Sequence, residues 1–184
     1  TEALLEDFND AMSDFDYSIR LNPEVADAYF NRSLVKGING DFVGELSDIN
    51  QVIKLSPTDA LAYNSRGIVK SMMGDYPGAL EDYDMSIKFK KDNPDVYFNK
   101  AIVHYELKEY VSSIKDFSTA IDIKPDAETY NRRANLKYKL NDFTGAFDDY
   151  CKAIELDRTC STAYLNRGYL KFMLKEYKAA IDDY

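Results

Sequence analysis

The sequence predicts an all-α protein built from repeated antiparallel helix hairpins. The first observation is a column of five tyrosines spaced by 34, 34, 33 and 34 residues: Tyr29, Tyr63, Tyr97, Tyr130 and Tyr164. The second is a column of aromatic residues with the same period, and the third is a series of prolines between the repeats. A fixed period with helical spacing inside each unit is typical of stacked helix pairs.

The first helix of each repeat carries the tyrosine and, four residues later, a small side chain. These small residues are Ser33, Gly67, Ala101, Ala134 and Gly168. Positions i and i+4 lie on the same face of a helix, so the small residue lies beside the tyrosine. Because a small side chain lets another helix approach closely, the pattern predicts a close helix crossing in every repeat.

The second helix is predicted to begin at the other aromatic column, where an acidic residue directly precedes each ring. The pairs are Asp7-Phe8, Asp41-Phe42, Asp75-Tyr76, Glu109-Tyr110, Asp142-Phe143 and Glu176-Tyr177. Acidic side chains suit helix N-caps, since they accept bonds from free N–H groups and complement the helix dipole. Pro23, Pro57 and Pro125 are predicted to stop the second helix, whereas Pro94 comes three residues late and is predicted to open the next helix.

These columns resemble the tetratricopeptide repeat (TPR) family over the whole chain. The segments AYNSRGIVKSMMGDYPGALEDYDMSI and AYLNRGYLKFMLKEYKAAIDDY carry the family's order of aromatic, Gly and Ala-x3-aromatic positions. Tyr replaces the family's Trp, a basic residue replaces its Leu, and Lys or His replaces its first Tyr, so we interpret the repeats as an Asn-Arg-Gly subtype. The resemblance implies a right-handed superhelical solenoid of antiparallel helix hairpins.

By phase, residues 1–184 are predicted to form a single TPR solenoid. The divisions are a partial repeat at 1–25, full repeats at 26–59, 60–93, 94–126 and 127–160, and a partial repeat at 161–184. A free solenoid needs polar terminal caps, and neither end of the sequence resembles one. We therefore expect the chain to be an excerpt of a longer protein.

Two charged columns recur in every repeat and are predicted to form structural ion pairs. The basic column is Arg32, Arg66, Lys100, Arg133 and Arg167, and the acidic column is Asp48, Asp82, Asp116, Asp149 and Asp183. A catalytic or ligand-binding role is the alternative interpretation. Recurrence in register favours pairing with an aspartate of the same or a neighbouring second helix, because charges at helix crossings are usually paired.

Two residues depart from their columns. Glu45 occupies a position that holds Ala or Ser in other repeats, which leaves two alternatives: a looser hairpin or a specific basic partner for Glu45. His104 falls in a column that otherwise holds lysine, and we interpret it as a surface substitution rather than a catalytic residue. The lysines of that column are Lys36, Lys70, Lys137 and Lys171.

The resemblance places the first helices along the concave face, where a ligand would bind. Asn31, Asn99 and Asn166 resemble the asparagine ladder by which some family members hold a peptide backbone, since a carboxamide both donates and accepts hydrogen bonds. The alternative is that these side chains are solvated or bonded to an adjacent helix. The other residues predicted to bind peptide are Phe30, Phe98, Asn64, Asn131, Ile68, Ile102, Tyr105, Tyr138 and Tyr169.

An apolar and aromatic groove of this kind favours an amphipathic helix or an extended segment with hydrophobic anchors. Some of these side chains are expected to pack between hairpins instead. Asp27, Asp95 and Glu128 form a candidate acidic rim that would select basic residues in the ligand.

Composition limits the class of partner. With 32 acidic against 23 basic residues, the net charge of -9 opposes phosphate attraction, so a protein or peptide partner is predicted and nucleic acid is disfavoured. Cys151 and Cys160 form no CxxC motif and have no histidine nearby, so we predict no disulfide framework, metal or cofactor and favour a cytoplasmic location. No apolar run is long enough to cross a bilayer, so no membrane insertion is predicted.

The predicted function is a protein–protein interaction scaffold, or adaptor, that binds a peptide or partner domain in the concave groove. Capture of a chaperone C-terminal tail is disfavoured, because the positions that should supply lysine hold Phe30, Asn64, Phe98, Asn131 and Leu165. No catalytic triad or Gly-rich phosphate loop is present, so the chain is not predicted to be an enzyme. Two alternatives remain: a structural solenoid built into a large assembly through its flanks, and the substrate-recruiting region of a larger enzyme.

Overall fold

The structure, a computed structural model, describes the backbone of residues 2–184 and the side chains of residues 8–184; Thr1 lies outside the described residues. The described backbone contains helices and short connections and no strand, which confirms the all-α class. The helices are α1 (Glu2–Leu21), α2 (Ala26–Ile38), α3 (Phe42–Leu55), α4 (Ala60–Met72), α5 (Tyr76–Phe89), α6 (Pro94–Glu106), α7 (Tyr110–Ile123), α8 (Ala127–Lys139), α9 (Phe143–Leu156), α10 (Ser161–Met173) and α11 (Tyr177–Asp183).

The chain divides into two compact units, one ending at Lys91 and the other running from Asp92 to Tyr184. In the first unit, α1 packs against α2, α2 against α3, α3 against α4 and α4 against α5. In the second unit, helices α6 to α11 pack in the same sequential way, and α8 also contacts α10. This sequential packing confirms the predicted stacking of helix pairs.

Five helix pairs repeat the same design, and we number them as hairpins. Hairpin 1 is α2 with α3, hairpin 2 is α4 with α5, hairpin 3 is α6 with α7, hairpin 4 is α8 with α9, and hairpin 5 is α10 with α11. Each first helix has 13 residues. Each second helix begins at the predicted aromatic residue, and Pro94 opens α6 as predicted.

Helix α1 differs from the prediction at its start. It begins at Glu2 instead of Phe8, so Asp7 is not its N-cap, and the side chain of Asp7 lies outside the described part of the structure. Ala3, Leu4, Leu5 and Glu6 are good helix formers, and no Gly or Pro stands between Glu2 and Phe8. An acid before an aromatic residue therefore marks a helix start only where a turn comes before it.

Three of the predicted acidic N-caps cap their helices through the side chain. Their carboxylates accept backbone N–H bonds, namely Asp41 from Gly44 (2.9 Å), Asp75 from Gly78 (3.1 Å) and Asp142 from Gly145 (3.0 Å). Glu109 and Glu176 occupy the equivalent positions without a side-chain cap bond. Aspartate is among the preferred N-cap residues and glutamate is not, because the longer side chain does not hold its carboxylate over the first turn as well.

The small-residue column lies where the two helices of a hairpin cross. Ser33, Ala101 and Ala134 are fully buried there. The approach is closest in hairpin 2, where a Cβ added to Gly67 would lie 2.6 Å from Cε1 of Tyr83, and the Tyr83 ring is buried. The helix crossing predicted from the small column is therefore tight enough at Gly67 to require glycine.

Candidate functional site

The acidic and basic columns face each other inside single hairpins. In hairpins 1, 2, 4 and 5 an arginine of the first helix donates from both Nε and Nη2 to one aspartate of the second helix. The Nη2–Oδ1 distances are 2.5 Å for Arg32–Asp48, 2.6 Å for Arg66–Asp82, 2.7 Å for Arg133–Asp149 and 2.6 Å for Arg167–Asp183. Two-point contacts of this kind fix geometry as well as charge.

A lysine one turn further along the first helix contacts the same aspartate, and this contact was not predicted from the sequence. The Nζ–Oδ2 distances are 2.7 Å for Lys36–Asp48, 2.8 Å for Lys70–Asp82, 2.8 Å for Lys137–Asp149 and 2.8 Å for Lys171–Asp183. Each buried carboxylate therefore has two cationic partners. The signal in the sequence was the recurrence of lysine four residues after the basic column, because residues at i and i+4 share a helix face.

Each of these arginines also reaches back to the second helix that precedes its own hairpin. The Nη1 contacts are Arg32 with Asp16 (2.6 Å), Arg66 with Asn50 (2.8 Å), Arg133 with Ser118 (2.9 Å) and Arg167 with Cys151 (3.3 Å). One guanidinium thus connects three helices within its unit. The partners in the preceding helix are chemically different residues. They form no recurring column in the sequence from which this contact could be predicted.

In the charged framework formed by these arginines, lysines and aspartates, Asp48 and Asp183 stay ionised despite burial. Burial opposes ionisation of Asp48 and Asp183, but hydrogen bonds from Arg and Lys and the charges of those groups outweigh it, so the pKa of each carboxyl is lowered. A lowered folded-state pKa adds stability above the unfolded pKa and loses it as pH falls through the folded value. These two aspartates therefore favour the folded state at neutral pH.

Hairpin 3 has the same geometry with different chemistry. Here Lys100 replaces arginine and His104 replaces lysine, and His104 Nδ1 lies 2.8 Å from Asp116 Oδ2. His104 is largely buried, with its Nε2 atom 3.7 Å from Glu109. The interpretation of His104 as a surface substitution was wrong, because the whole lysine column turns inward to the aspartates. Burial raises the pKa of Asp116, although Lys100 and His104 oppose that increase.

We expect His104→Lys to stabilise the protein by about 1 kcal/mol at neutral pH. Lysine would bring an ammonium group to Asp116, as Lys36 and Lys70 do to their aspartates in hairpins 1 and 2. A raised carboxyl pKa favours folding at low pH, and that contribution is lost as pH rises through the folded pKa of Asp116. The gain from lysine should therefore shrink as the pH is lowered and the carboxyl becomes protonated. Urea unfolding of parent and variant at pH 7 and at a series of lower pH values measures both effects.

Hairpin 2 provides the reciprocal control. Lys70→His places histidine beside Asp82 and should reduce stability at neutral pH by a similar amount, since Lys70 Nζ lies 2.8 Å from that carboxylate. Equal stabilities of parent and His104→Lys at neutral pH would show that the fourth-residue cation does not support the buried carboxylate.

Glu45 is accommodated by Gly37, a solution that neither earlier alternative described. A Cβ added at Gly37 would lie 2.6 Å from Glu45 Oε2, so the absence of a side chain at Gly37 provides the space. The equivalent positions of the later hairpins hold larger residues: Ser71, Tyr105, Tyr138 and Phe172. Burial raises the pKa of Glu45. Helices α2 and α3 can therefore approach closely because the large side chain of Glu45 faces Gly37, which has no side chain.

The predicted asparagine ladder has three members in different surroundings. Asn31 is exposed on α2, and Asn99 is half-buried on α6. Asn166 Nδ2 donates to Asn131 Oδ1 at 3.1 Å, and Asn131 Nδ2 donates to Thr162 Oγ1 at 3.3 Å. In hairpins 4 and 5 the amides thus form a hydrogen-bonded row between α8 and α10, which agrees with the alternative of bonding to an adjacent helix.

The position directly after the tyrosine column is less accessible than expected. Asn64 is 7% exposed and Asn131 is 8% exposed, so the prediction that they present their side chains to a peptide is corrected. Phe30 and Phe98 are half-buried, and Phe98 packs edge-on against Phe117 at 5.5 Å. In hairpins 1 to 4 this position therefore faces neighbouring helices, whereas Leu165 in hairpin 5 is exposed.

Other predicted residues do present apolar surface on the first helices. Ile68, Tyr105 and Tyr169 are exposed, whereas Ile102 and Tyr138 are half-buried. The Tyr138 ring contacts Phe143 and Tyr169 at centroid distances of 5.5 and 6.0 Å. In the second unit Leu165 and Phe172 are also exposed, to 58% and 50%. Exposed apolar surface therefore lies on α6 and α10, and α8 between them contributes the half-buried Tyr138.

The candidate acidic rim is only partly available. Asp27 and Asp95 are exposed, but Glu128 binds Arg132 on the same helix at 2.7 Å. Among the residues that the structure describes, no group of three or more His, Cys, Asp or Glu side chains is arranged to hold a metal ion, and none of the helices is long and apolar enough to cross a membrane.

Sequence comparison identifies the repeats directly. A model described as TPR repeat matches residues 72–108, and a model described as tetratricopeptide repeat matches residues 94–126 and 127–160. No curated protein matches the sequence.

Solved structures share the fold at low sequence identity. MamA is 18% identical with a TM-score of 0.78, and the match covers 88% of each chain. YrrB, described as a TPR protein with an unusual peptide-binding site, is 18% identical with a TM-score of 0.74 over 92% of this chain and 88% of its own. BtubC from P. vanneervenii is 14% identical with a TM-score of 0.81, and the match covers 99% of this chain and 87% of BtubC. The repeat models thus place tetratricopeptide repeats within residues 72–160, and the solved structures share the fold over most of this chain.

Proposed function

We propose that this chain is a protein-interaction scaffold that binds a peptide or partner domain on its first helices. The relevant surface, which we call the first-helix face, consists of the outward side chains of α2 and α4 in one unit and of α6, α8 and α10 in the other. The observation that carries the proposal is the apolar surface of the second unit, where Tyr105, Leu165, Tyr169 and Phe172 are exposed on first helices.

Exposed aromatic and aliphatic groups on one face commonly mark a protein contact. Aromatic side chains offer a large apolar area at low entropic cost, which makes them effective anchors for a ligand. Asparagine amides beside them can bond to peptide C=O and N–H groups without requiring a particular ligand sequence. Anchoring and backbone recognition are thus both available from one set of helices.

The charged framework and the first-helix face consist of different side chains. The Arg, Lys and Asp columns are engaged in contacts inside the hairpins, so they hold the helices together and leave the first-helix face to a ligand. The proposal assigns the chain binding and no catalytic step. The peptide-binding site in the description of YrrB is a property of a protein with the same fold and is consistent with this role. We also propose that Asn, Arg and Gly at 166–168 typify the repeat subtype.

The test compares proteins retained from a native extract by three forms of the chain. The parent is compared with an Asn31, Asn99, Asn166→Ala variant and with a control that changes exposed polar residues of second helices. The control substitutions are Ser47→Ala, Lys115→Ala and Glu155→Ala, whose side chains are all exposed. Circular dichroism first establishes that all three forms are equally helical.

We expect the asparagine variant to lose partners that the parent and the control retain. Loss of the same partners by the control alone would contradict binding on the first-helix face and favour a structural solenoid held through its flanks. Identification of the retained partners would also show whether the chain recruits substrates for an enzyme.

A further inference from the structure

Helix α8 departs from the other first helices in three positions that share one face. Arg132, Asn135 and Lys139 follow the spacing i, i+3 and i+7, and all three are exposed. At the equivalent positions α6 has Asn99, Ile102 and Glu106, and α10 has Asn166, Tyr169 and Met173. In the second unit a polar strip with two cations thus lies on α8, between two first helices that present more apolar surface.

The first cation of this strip is positioned by its neighbours. The Arg132 guanidinium carbon lies 5.3 Å from the centre of the Phe98 ring, and its Nε and Nη2 groups donate to Glu128 Oε1 at 2.9 and 2.7 Å. The contact with Glu128 is at the surface, where such pairs contribute little energy. The remaining guanidinium N–H groups can still donate to a ligand.

The second cation has no carboxylate partner among the described residues. Lys139 Nζ lies over the rings of Tyr110 and Tyr105, at 4.3 and 5.3 Å from their centres. By contrast, the buried-facing lysines of the framework, such as Lys137 on the same helix, are paired with aspartate. The chain has a net charge of -9, so the exposed Lys139 ammonium over two rings is a local positive charge on a negatively charged protein.

The strip lies between two cavities. Arg132, Asn135 and Lys139 line a cavity of about 240 Å³ together with Glu106, and its apolar walls include Ile102, Tyr105 and Leu136. Arg132 and Asn135 also line a cavity of about 500 Å³ on the α10 side, where Leu165 lies beside the polar residues Asn166, Glu128 and Asp157. The smaller volume suits one bulky apolar side chain.

We propose that the second unit selects an internal protein segment in which acidic side chains lie between bulky apolar ones. One acidic side chain contacts Arg132 and another contacts Lys139, because a seven-residue spacing separates the two positions by about 10 Å along the helix. The apolar groups occupy the cavities on the two sides of α8. This inference rests on the proposed function and adds the chemistry of the ligand. Recognition of an internal segment needs no free C-terminal carboxylate, because the charge comes from Asp or Glu side chains.

The experiment is a display selection with random peptide segments joined to flexible Gly/Ser linkers at both ends, so that no terminus is presented. The parent is compared with Arg132→Gln/Lys139→Gln and with Arg132→Glu/Lys139→Glu. A control, Lys54→Gln/Lys152→Gln, makes the same change in net charge on exposed lysines of second helices. Salt dependence alone would not test the idea, because salt screens both local attraction and the repulsion from the acidic chain.

We expect the parent and the control to select segments with Asp or Glu between apolar residues. The glutamine variant should bind those segments about tenfold more weakly, and the glutamate variant should prefer Lys or Arg at the same place. Segments that depend on Asn166 but show no acidic preference would overturn this inference and leave the proposed function intact. Failure of the parent to select any segment that the Asn31, Asn99, Asn166→Ala variant loses would overturn both.

Discussion

Replacement of Arg66 by aspartate is expected to lower the free energy of unfolding by about 3–5 kcal/mol. Arg66 donates two hydrogen bonds to Asp82, whose side chain is 3% exposed, and a third to Asn50 of the preceding second helix. The substitution removes these bonds and places a second carboxylate beside the first. Lys70 remains 2.8 Å from Asp82 but would have to compensate two negative charges. Urea unfolding followed by circular dichroism measures the loss.

Lys152→Asp is the matched control because it reverses a charge in an exposed ion pair. Lys152 lies 2.7 Å from Glu155, and both side chains are more than half exposed. Exposed pairs contribute little, so the control should change stability by no more than about 1 kcal/mol. If Arg66→Asp and Lys152→Asp unfolded at the same urea concentration, the charged columns would not be part of what stabilises the hairpins.

Gly67→Leu is expected to destabilise the protein by about 3 kcal/mol or more, although leucine is the better helix former by roughly 1 kcal/mol. Even a Cβ at this position would lie 2.6 Å from Cε1 of Tyr83. The Tyr83 ring is fully buried, so it has no free space into which to move. Leucine would therefore force α4 and α5 apart. The same unfolding experiment tests this, with near-ultraviolet circular dichroism reporting on the tyrosine environment.

A graded series separates overpacking from a general effect of added apolar surface. Gly67→Ala should lie between the parent and Gly67→Leu, since it adds only the Cβ that contacts Tyr83. Ser47→Leu adds a leucine at an exposed position of α3 and should change stability by less than about 0.5 kcal/mol. A stable Gly67→Leu variant would contradict the close crossing of hairpin 2.

Substitutions in the charged framework and on the first-helix face are expected to have different effects on stability, which matters for any functional experiment. Arg66, Asp82 and Gly67 are enclosed in contacts within hairpin 2, so their substitution tests stability. Tyr169 and Lys139 project from first helices and are exposed, so their substitution can test binding without loss of the fold. Variants of the first group that lost a partner would say nothing about where that partner binds.

The sequence by itself determined the class of fold, the place of nearly every helix and the two charged columns. Each second helix of the five hairpins begins at its predicted aromatic residue, and Pro94 opens α6. The starts of the second helices recur once in every repeat. They depend on residues that are close in sequence, such as the N-caps Asp41 and Asp75. Periodicity therefore carries them, except at α1, where no turn separates Phe8 from the preceding helix-forming residues.

Only the tertiary structure decided which side chains meet across helices. Lys36 joins Arg32 on Asp48, His104 turns inward to Asp116, and Asn131 is buried in a hydrogen-bonded row. The exposed strip on α8 likewise becomes a candidate recognition element only when its flanking cavities are known. These features depend on distances between helices and on the size of facing residues, and a repeating pattern fixes neither, because each position can turn toward a partner helix or toward solvent.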